Sequence, residues 1–201
     1  MNVTILGCGA LGSVVAFHLH GSGHPGLNLE LIQRPGEHFD ALKSNGLKIH
    51  LPEGGTRTLR IPVSPCGTGR CGSDLVIVLV KSGETEKAAR IIEKELAPGG
   101  VALTLQNGLG NAEKLAGILG ADRVAAGVTT FGGYRKAPGE VVVAGEGSVV
   151  FGPWKKGMDL ERVRDLFAAS ALNPELVKDP REAICRKLVL NAAVNPLAAI
   201  V

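Results

Sequence analysis

The stretch Asn2–Gly12, NVTILGCGALG, decides how the rest of the chain is read. Asn2–Leu6 is a short apolar run of the kind that forms a strand, and it passes directly into Gly7-Cys8-Gly9-Ala10-Leu11-Gly12. From Ala10 to His20 the spacing becomes helical, with Leu11, Val15 and Leu19 at i, i+4 and i+8 on one face. A G-x-G-x-x-G turn between strand and helix divides its work among three glycines. Gly7 permits the tight turn, Gly9 lets a pyrophosphate reach the backbone, and Gly12 lets the helix pack closely on the strand. The free N–H groups at the helix start then offer partial positive charge to phosphates. A tight turn without a ligand is the other reading, and the elements that follow favour the phosphate loop.

Working outward, Leu27–Gln33 alternates and predicts a second strand, stopped by Arg34-Pro35-Gly36. Gly46–Leu51 and Thr56–Val63 predict an antiparallel excursion around Pro52-Glu53-Gly54-Gly55. Asp74–Val80 is almost wholly apolar, as a strand buried on both faces requires. A helix over Glu84–Leu96 and a strand over Val101–Leu105 continue the alternation, which gives a doubly wound parallel sheet. Glu140–Ala144 and Ser148–Phe151, flanking Gly145-Glu146-Gly147, predict an added antiparallel hairpin, and Met158–Ala171 an amphipathic helix. Arg181–Val201 reads as a last helix, apolar almost all round.

Composition removes several function classes. Lys+Arg 22 against Asp+Glu 19 gives a charge of +3, too mild and dispersed for a nucleic-acid stripe. Five Phe, one Trp and one Tyr supply no base-stacking platform. Four cysteines make no disulfide framework, and Cys66 and Cys71 match no common zinc spacing, so no metal is expected. No apolar run spans a bilayer and no signal-peptide pattern opens the chain, so the expectation is a cytoplasmic protein away from membranes. Glycine, 28 of 201 residues, stands at twice the usual share of about 7%.

The second strand ends in Gln33-Arg34 with no acid at its tip, where an NAD enzyme places a carboxylate for the ribose 2′-OH. Arg34 is either solvated before a turn or a 2′-phosphate ligand, and the missing acid favours NADP(H). Lys81 ends the buried strand in VLVKSGET, at the sheet edge where ligands bind. Asn107 in LTLQNGLG shares that layer and is either a turn former or a ligand group. Lys187, Asn191 and Asn195 fall at i, i+4 and i+8 as one polar stripe among apolar neighbours. Such a lysine either extends to solvent beside Arg186 or, desolvated, serves as a proton donor. His18 and His20 do not share a helix face, and Arg135-Lys136 and Lys155-Lys156 read as ordinary hairpin and loop charges.

With these pieces placed, the chain resembles the ketopantoate reductase family. The resemblance rests on GCGALG at 7–12, VKSGET at 80–85, QNGLG at 106–110, GVTTFGGYRKAPGEVVVAGEGSVVFGP at 127–153 and RKLVLNAAVNPLAAI at 186–200. It implies a Rossmann-like domain over 1–180 and, over 181–201, the first helix of a helical substrate domain whose remainder would supply a glutamate and a serine to the substrate. It also implies NADPH-dependent reduction of 2-dehydropantoate to (R)-pantoate on the route to pantothenate and coenzyme A, with a catalytically incomplete NADP-binding module and a reductase of another small 2-oxo acid as the alternative readings. Gly7, Cys8, Gly9, Ala10, Leu11 and Gly12 then form the pyrophosphate loop, and Arg34 contacts the 2′-phosphate. Lys81 and Asn107 become cofactor-side and substrate-side polar groups, and Gly133 a backbone contact near the nicotinamide. Lys187 becomes the proton donor, with Asn107, Asn191 and Asn195 holding substrate. Gly83 and Cys185 stand where the family often has an aromatic and a tryptophan. An uncovered apolar helix over 183–201 is expected to pair copies of the chain into a homo-oligomer.

Overall fold

The structure, a computed structural model, describes residues 1–69 and 71–198, and the backbone alone over 195–198. The elements run β1 (Asn2–Leu6), α1 (Ala10–Gly21), β2 (Asn28–Gln33), α2 (Glu37–Asn45), β3 (Leu47–His50), β4 (Thr56–Leu59), β5 (Val63–Pro65) and β6 (Ser73–Val78). They continue with α3 (Thr85–Glu95), β7 (Leu96–Thr104), α4 (Asn111–Leu119), β8 (Val124–Thr129), β9 (Gly133–Ala137) and β10 (Glu140–Val143). The last are β11 (Val149–Pro153), α5 (Glu161–Ala169), β12 (Pro174–Leu176) and α6 (Arg181–Ala198).

Among the described residues the main sheet has eight strands in the order β12-β11-β8-β7-β6-β1-β2-β5. The chain winds outward from β1 through β2 to β5, then returns to β6 and proceeds the other way. The order therefore reverses between β1 and β6, and the crevice beyond their carboxyl ends is where such sheets bind ligands. Alternating side chains build the two faces. Val3, Ile5, Leu31, Leu75, Ile77 and Leu103 pack with α1, the small sheet and α5. Leu6, Ile32, Val76, Val78, Ala102 and Val124 pack with α3 and α4. Strands buried on both faces explain why Asp74–Val80 carries so few polar residues.

The excursion expected around residues 52–55 is present with a shorter second arm: β3 and β4 pair antiparallel, Leu47 opposite Leu59 and His50 opposite Thr56, while Val63 opens β5 beside Leu31 in the main sheet. They belong to a second sheet, ordered β4-β3-β10-β9. The hairpin expected across Gly145-Glu146-Gly147 does not form. β10 instead pairs antiparallel with β9 around Pro138-Gly139, while β11 crosses into the main sheet antiparallel to β8. The reason is burial. Val149 and Phe151 are both fully enclosed, and the Phe151 ring lies 5.4 Å from that of Phe167 on α5, cover that the small sheet cannot supply. Gly147 makes the crossing possible, because a Cβ there would lie 2.6 Å from the Phe131 nitrogen. The main sheet is thus parallel from β5 to β8 and carries an antiparallel strand at β11.

Candidate active site

The phosphate-loop glycines are fixed by contact. Gly7 has φ +100, and a Cβ there would stand 2.7 Å from the Leu79 carbonyl carbon and the Val80 nitrogen, so the loop lies back to back with the end of β6. Its N–H donates to the Ile32 carbonyl at 2.9 Å, and the Leu79 N–H donates to the Leu6 carbonyl at 2.8 Å. At Gly12 a Cβ would collide with the Gly7 carbonyl oxygen, so α1 approaches its own turn as only glycine allows. Gly9 differs: the space where its Cβ would stand is empty to 4 Å. Cys8 points inward, its thiol pushed up to about 11 by burial, and its N–H donates to Gln33 Oε1 at 3.0 Å. Ala10 and Leu11 form the first turn of α1, with Leu11 packed on the core.

Beyond this loop lies a cavity of about 180 Å³ whose lining includes Gly7, Gly9, Arg34, Lys81, Ala88 and Arg135. Neither the Arg34 guanidinium nor the Lys81 ammonium has a hydrogen-bond or ion-pair partner among the described residues. Two unpaired cations beside an open glycine and a helix start make an anion site. Glu30 does not reach it; buried in β2, it accepts a hydrogen bond from Ser64 on β5. The edge of the crevice near Arg34 therefore presents cations where a ribose-binding carboxylate would otherwise stand.

Lys187 is brought to the carboxyl edge of the sheet by the anchored start of α6. Asp179 Oδ1 accepts from the Arg181 N–H at 3.0 Å, a capping bond, and the Arg181 guanidinium lies 4.0 Å from the Trp154 ring centroid. Further along the helix, Lys187 Nζ donates to the Thr129 carbonyl at 2.6 Å and to Asn107 Oδ1 at 2.9 Å. Two of its three N–H bonds are thereby aimed, leaving one to donate elsewhere. Half-burial disfavours the charge and lowers the Lys187 pKa, which makes the ammonium a better acid than a solvated lysine.

The Asn107 loop is held by a buried polar network. Gln106 Nε2 donates to the Val80 carbonyl at 2.8 Å and to Thr85 Oγ1 at 2.9 Å, and Thr104 Oγ1 donates to Gln106 Oε1 at 2.9 Å. Asn111 Nδ2 in turn donates to the Asn107 carbonyl at 3.1 Å. Satisfied on every side, these groups lock the ends of β6 and β7 in one arrangement.

The sequence-predicted residues thus fall into separate groups. Gly7, Gly9, Arg34 and Lys81 line one cavity, and Lys187 and Asn107 are bonded to each other. Gly133 is not in that cavity's lining. It opens β9 where a Cβ would stand 2.7 Å from the Val142 carbonyl oxygen and 3.0 Å from Val14 on α1, a packing glycine between small sheet and helix. Asn191 is half-buried one turn beyond Lys187, while the Asn195 side chain lies outside the described residues. Sequence reasoning passed over Arg135 and the Gln106–Thr85–Asn111 network. Arg135 had only an unremarkable charge pair as its signal, and the network is joined by residues that are distant in sequence.

Comparison with known proteins places the chain in a family. The family model for ketopantoate reductase PanE/ApbA matches residues 3–156. A 2-dehydropantoate 2-reductase from Halobacterium salinarum is 35% identical over the whole chain, and one from Pyrococcus horikoshii is 34% identical. The chain spans 65% and 64% of the lengths of those relatives. Among solved structures, 2-dehydropantoate 2-reductase from Geobacter metallireducens superposes with a TM-score of 0.88 at 30% identity, covering 99% of this chain and 65% of that one. A ternary structure of D-mandelate dehydrogenase with NADH and anilino(oxo)acetate superposes with a TM-score of 0.90 at 26% identity, covering 98% of this chain and 63% of that one.

Proposed function

Given that this chain belongs to the ketopantoate reductase PanE/ApbA family, we propose that the protein reduces the ketone of 2-dehydropantoate to (R)-pantoate with NADPH, as part of the supply of pantothenate. The observation that carries this reading is Lys187, half-desolvated and aimed by Asn107 and the Thr129 carbonyl at the ligand-binding edge of the sheet. When bound, NADPH supplies the hydride; the chain supplies position and charge. Gly7–Gly12 and the start of α1 hold the pyrophosphate, with Gly9 giving the open approach. Lys81 adds a cation on the cofactor side, and Arg34 takes the 2′-phosphate in place of a ribose-binding acid. NADP(H) over NAD(H) follows from Gln33-Arg34, although the D-mandelate dehydrogenase neighbour was solved with NADH.

As the ketone gains a hydride its oxygen becomes an alkoxide, and the remaining N–H of Lys187 donates the proton that neutralises it. Asn107 and Asn191 hold the substrate around that oxygen, while Asn195 as a further substrate contact and Gly133 as a nicotinamide contact are carried by the family resemblance alone. Residues 1–180 make up the nucleotide domain in this reading, and α6 begins the substrate side. Lys187→Ala is expected to lower kcat by about a hundredfold or more while leaving NADPH affinity in place. Unchanged turnover in that variant would exclude Lys187 as the donor. The mandelate dehydrogenase superposition supports a second reading, reduction of a different small 2-oxo acid. Comparing ketopantoate with phenylglyoxylate as substrates, by loss of nicotinamide absorbance, separates the two.

A further inference from the structure

Arg135 sits on β9 of the small sheet, yet it lines two spaces that also share Gln33 and Arg34 at the end of β2. One is the cavity shared with Gly7, Gly9 and Arg34. The other is an outer cleft shared with Gln33, Arg34 and the first residues of α2, which also carries Glu37 and Lys136. Like Arg34, the Arg135 guanidinium has no hydrogen-bond or ion-pair partner among the described residues. Two guanidiniums from different sheets converging on one cleft repel each other, and an anion between them relieves that repulsion.

A buried histidine sets the distance between the two sheets at this point. The Gly139 N–H, in the β9–β10 turn, donates to His38 Nδ1 at 2.9 Å. Nδ1 is therefore an acceptor, and Nε2 carries the proton that it donates to the Cys8 carbonyl at 2.6 Å. The His38 ring thus bridges the phosphate loop and the small sheet through one donor and one acceptor. Burial, with the Arg135 charge acting in the same direction, outweighs the opposing Cys8 hydrogen bond and lowers the His38 pKa, which favours the neutral ring that pattern demands. The turn is also seated from its other side, since the Gly139 carbonyl accepts from the Lys48 N–H at 2.9 Å.

We infer that Arg135 is a second 2′-phosphate ligand, closing on the phosphate opposite Arg34, and that His38 is the positioning residue that holds the small sheet, and so Arg135, against the phosphate loop. This rests on the reading of Arg34 as a 2′-phosphate ligand. The ligand class is a nucleotide bearing a ribose 2′-monoester, and the recognition is bidentate guanidinium to phosphate.

The test is calorimetric titration of the chain with 2′,5′-ADP and with 5′-AMP, using wild type and the variants Arg34→Gln, Arg135→Gln, His38→Leu and His38→Gln. Arg135→Gln is expected to weaken 2′,5′-ADP about tenfold or more while leaving 5′-AMP unchanged. His38→Leu should reproduce that selective loss. His38→Gln, which keeps a donor and an acceptor, should restore most of it. Combining Arg135→Gln with His38→Leu should lose little more than either alone, because both remove one interaction. If Arg34→Gln loses 2′,5′-ADP and Arg135→Gln does not, the inference is overturned while the role of Arg34 stands. If neither variant changes 2′,5′-ADP binding, the 2′-phosphate reading itself fails. Equal loss of both nucleotides in His38→Leu, without rescue by His38→Gln, would show a structural role only and overturn the positioning claim.

Discussion

Alanine at two glycines of one loop should separate binding from folding. Gly9 is the residue that caps α1, with φ −74 and ψ −159, and nothing lies within 4 Å of the position its Cβ would take. Gly9→Ala therefore meets no neighbour. Losing the better capping residue costs about 0.5–1 kcal/mol, and the stiffer unfolded chain returns about 0.4–1 kcal/mol. Net stability should stay within about 0.5 kcal/mol of wild type. The methyl nevertheless occupies the open approach where a pyrophosphate must reach backbone N–H groups. Losing two charge-assisted hydrogen bonds at about 1.5 kcal/mol each weakens NADPH by roughly a hundredfold. At Gly12 the balance reverses. Alanine gains about 1 kcal/mol of helix propensity, but its Cβ meets the Gly7 carbonyl oxygen at a distance no relaxation of a side chain can relieve. Overpacking of about 3 kcal/mol leaves a net loss of about 2 kcal/mol, or roughly 4–8 °C in Tm for a chain of this size. Thermal unfolding without ligand, paired with NADPH titration, measures both. A Gly9→Ala protein that binds NADPH like wild type, or that melts as early as Gly12→Ala, would refute the assignment of separate roles.

Glu95 is 3% exposed, and burial together with the nearby Glu30 charge, only partly opposed by a hydrogen bond from the Gly69 backbone, raises its pKa from 4.5 to about 7. The folded state then binds more protons than the unfolded state above pH 4.5, so stability falls as pH rises toward about 7 and levels off beyond it. Glu95→Gln should be more stable than wild type at pH 8 by about 2–3 kcal/mol and should flatten the pH dependence of urea unfolding; an unchanged slope would show that Glu95 is ionised in the fold. Lys187, with a pKa lowered by burial from 10.5, should impose an alkaline limb on ketone reduction, with kcat falling as pH rises through that lowered value. Lys187→Arg, which stays charged, should lack that limb in its residual pH–rate profile. Gln106→Leu strands the Val80 carbonyl and the Thr104 hydroxyl proton, while Thr85 keeps Ser82 and Asn111, and should cost roughly 1–3 kcal/mol in denaturant unfolding.

Local signals carried much of the fold. NVTIL followed by G-x-G-x-x-G, the LNLELIQ alternation and the apolar DLVIVLV run each report their own burial, and the structure places them as adjacent parallel strands β2, β1 and β6. The hairpin across Gly145-Glu146-Gly147 failed because two alternating runs flanking glycines fix only that the chain turns or crosses. Which sheet the second run joins is set by Phe167, Gly127 and Phe131, residues from other elements. The short β5 and β12 have the same cause, since three-residue strands owe their conformation to the strand they pair with. At the site, Arg34 and Lys81 were legible because strand ends declare themselves in sequence. The distance from Lys187 to Asn107 spans eighty positions and was accessible only through the helical stripe that made Lys187 conspicuous. Arg135 looked like an ordinary hairpin charge, because its place in the crevice depends on how the small sheet seats on α1 and α2.

NADP(H) is expected in the crevice between β1 and β6, with Lys187 at its open edge. Nuclear magnetic resonance of the labelled chain titrated with NADP⁺ tests it most directly. Saturable shifts are expected at the Gly7, Gly9, Arg34 and Lys81 amides and at the Lys187 side chain. Shifts that bypass those residues and cluster instead where α4 meets α6, around Leu109 and Ile184, would contradict it.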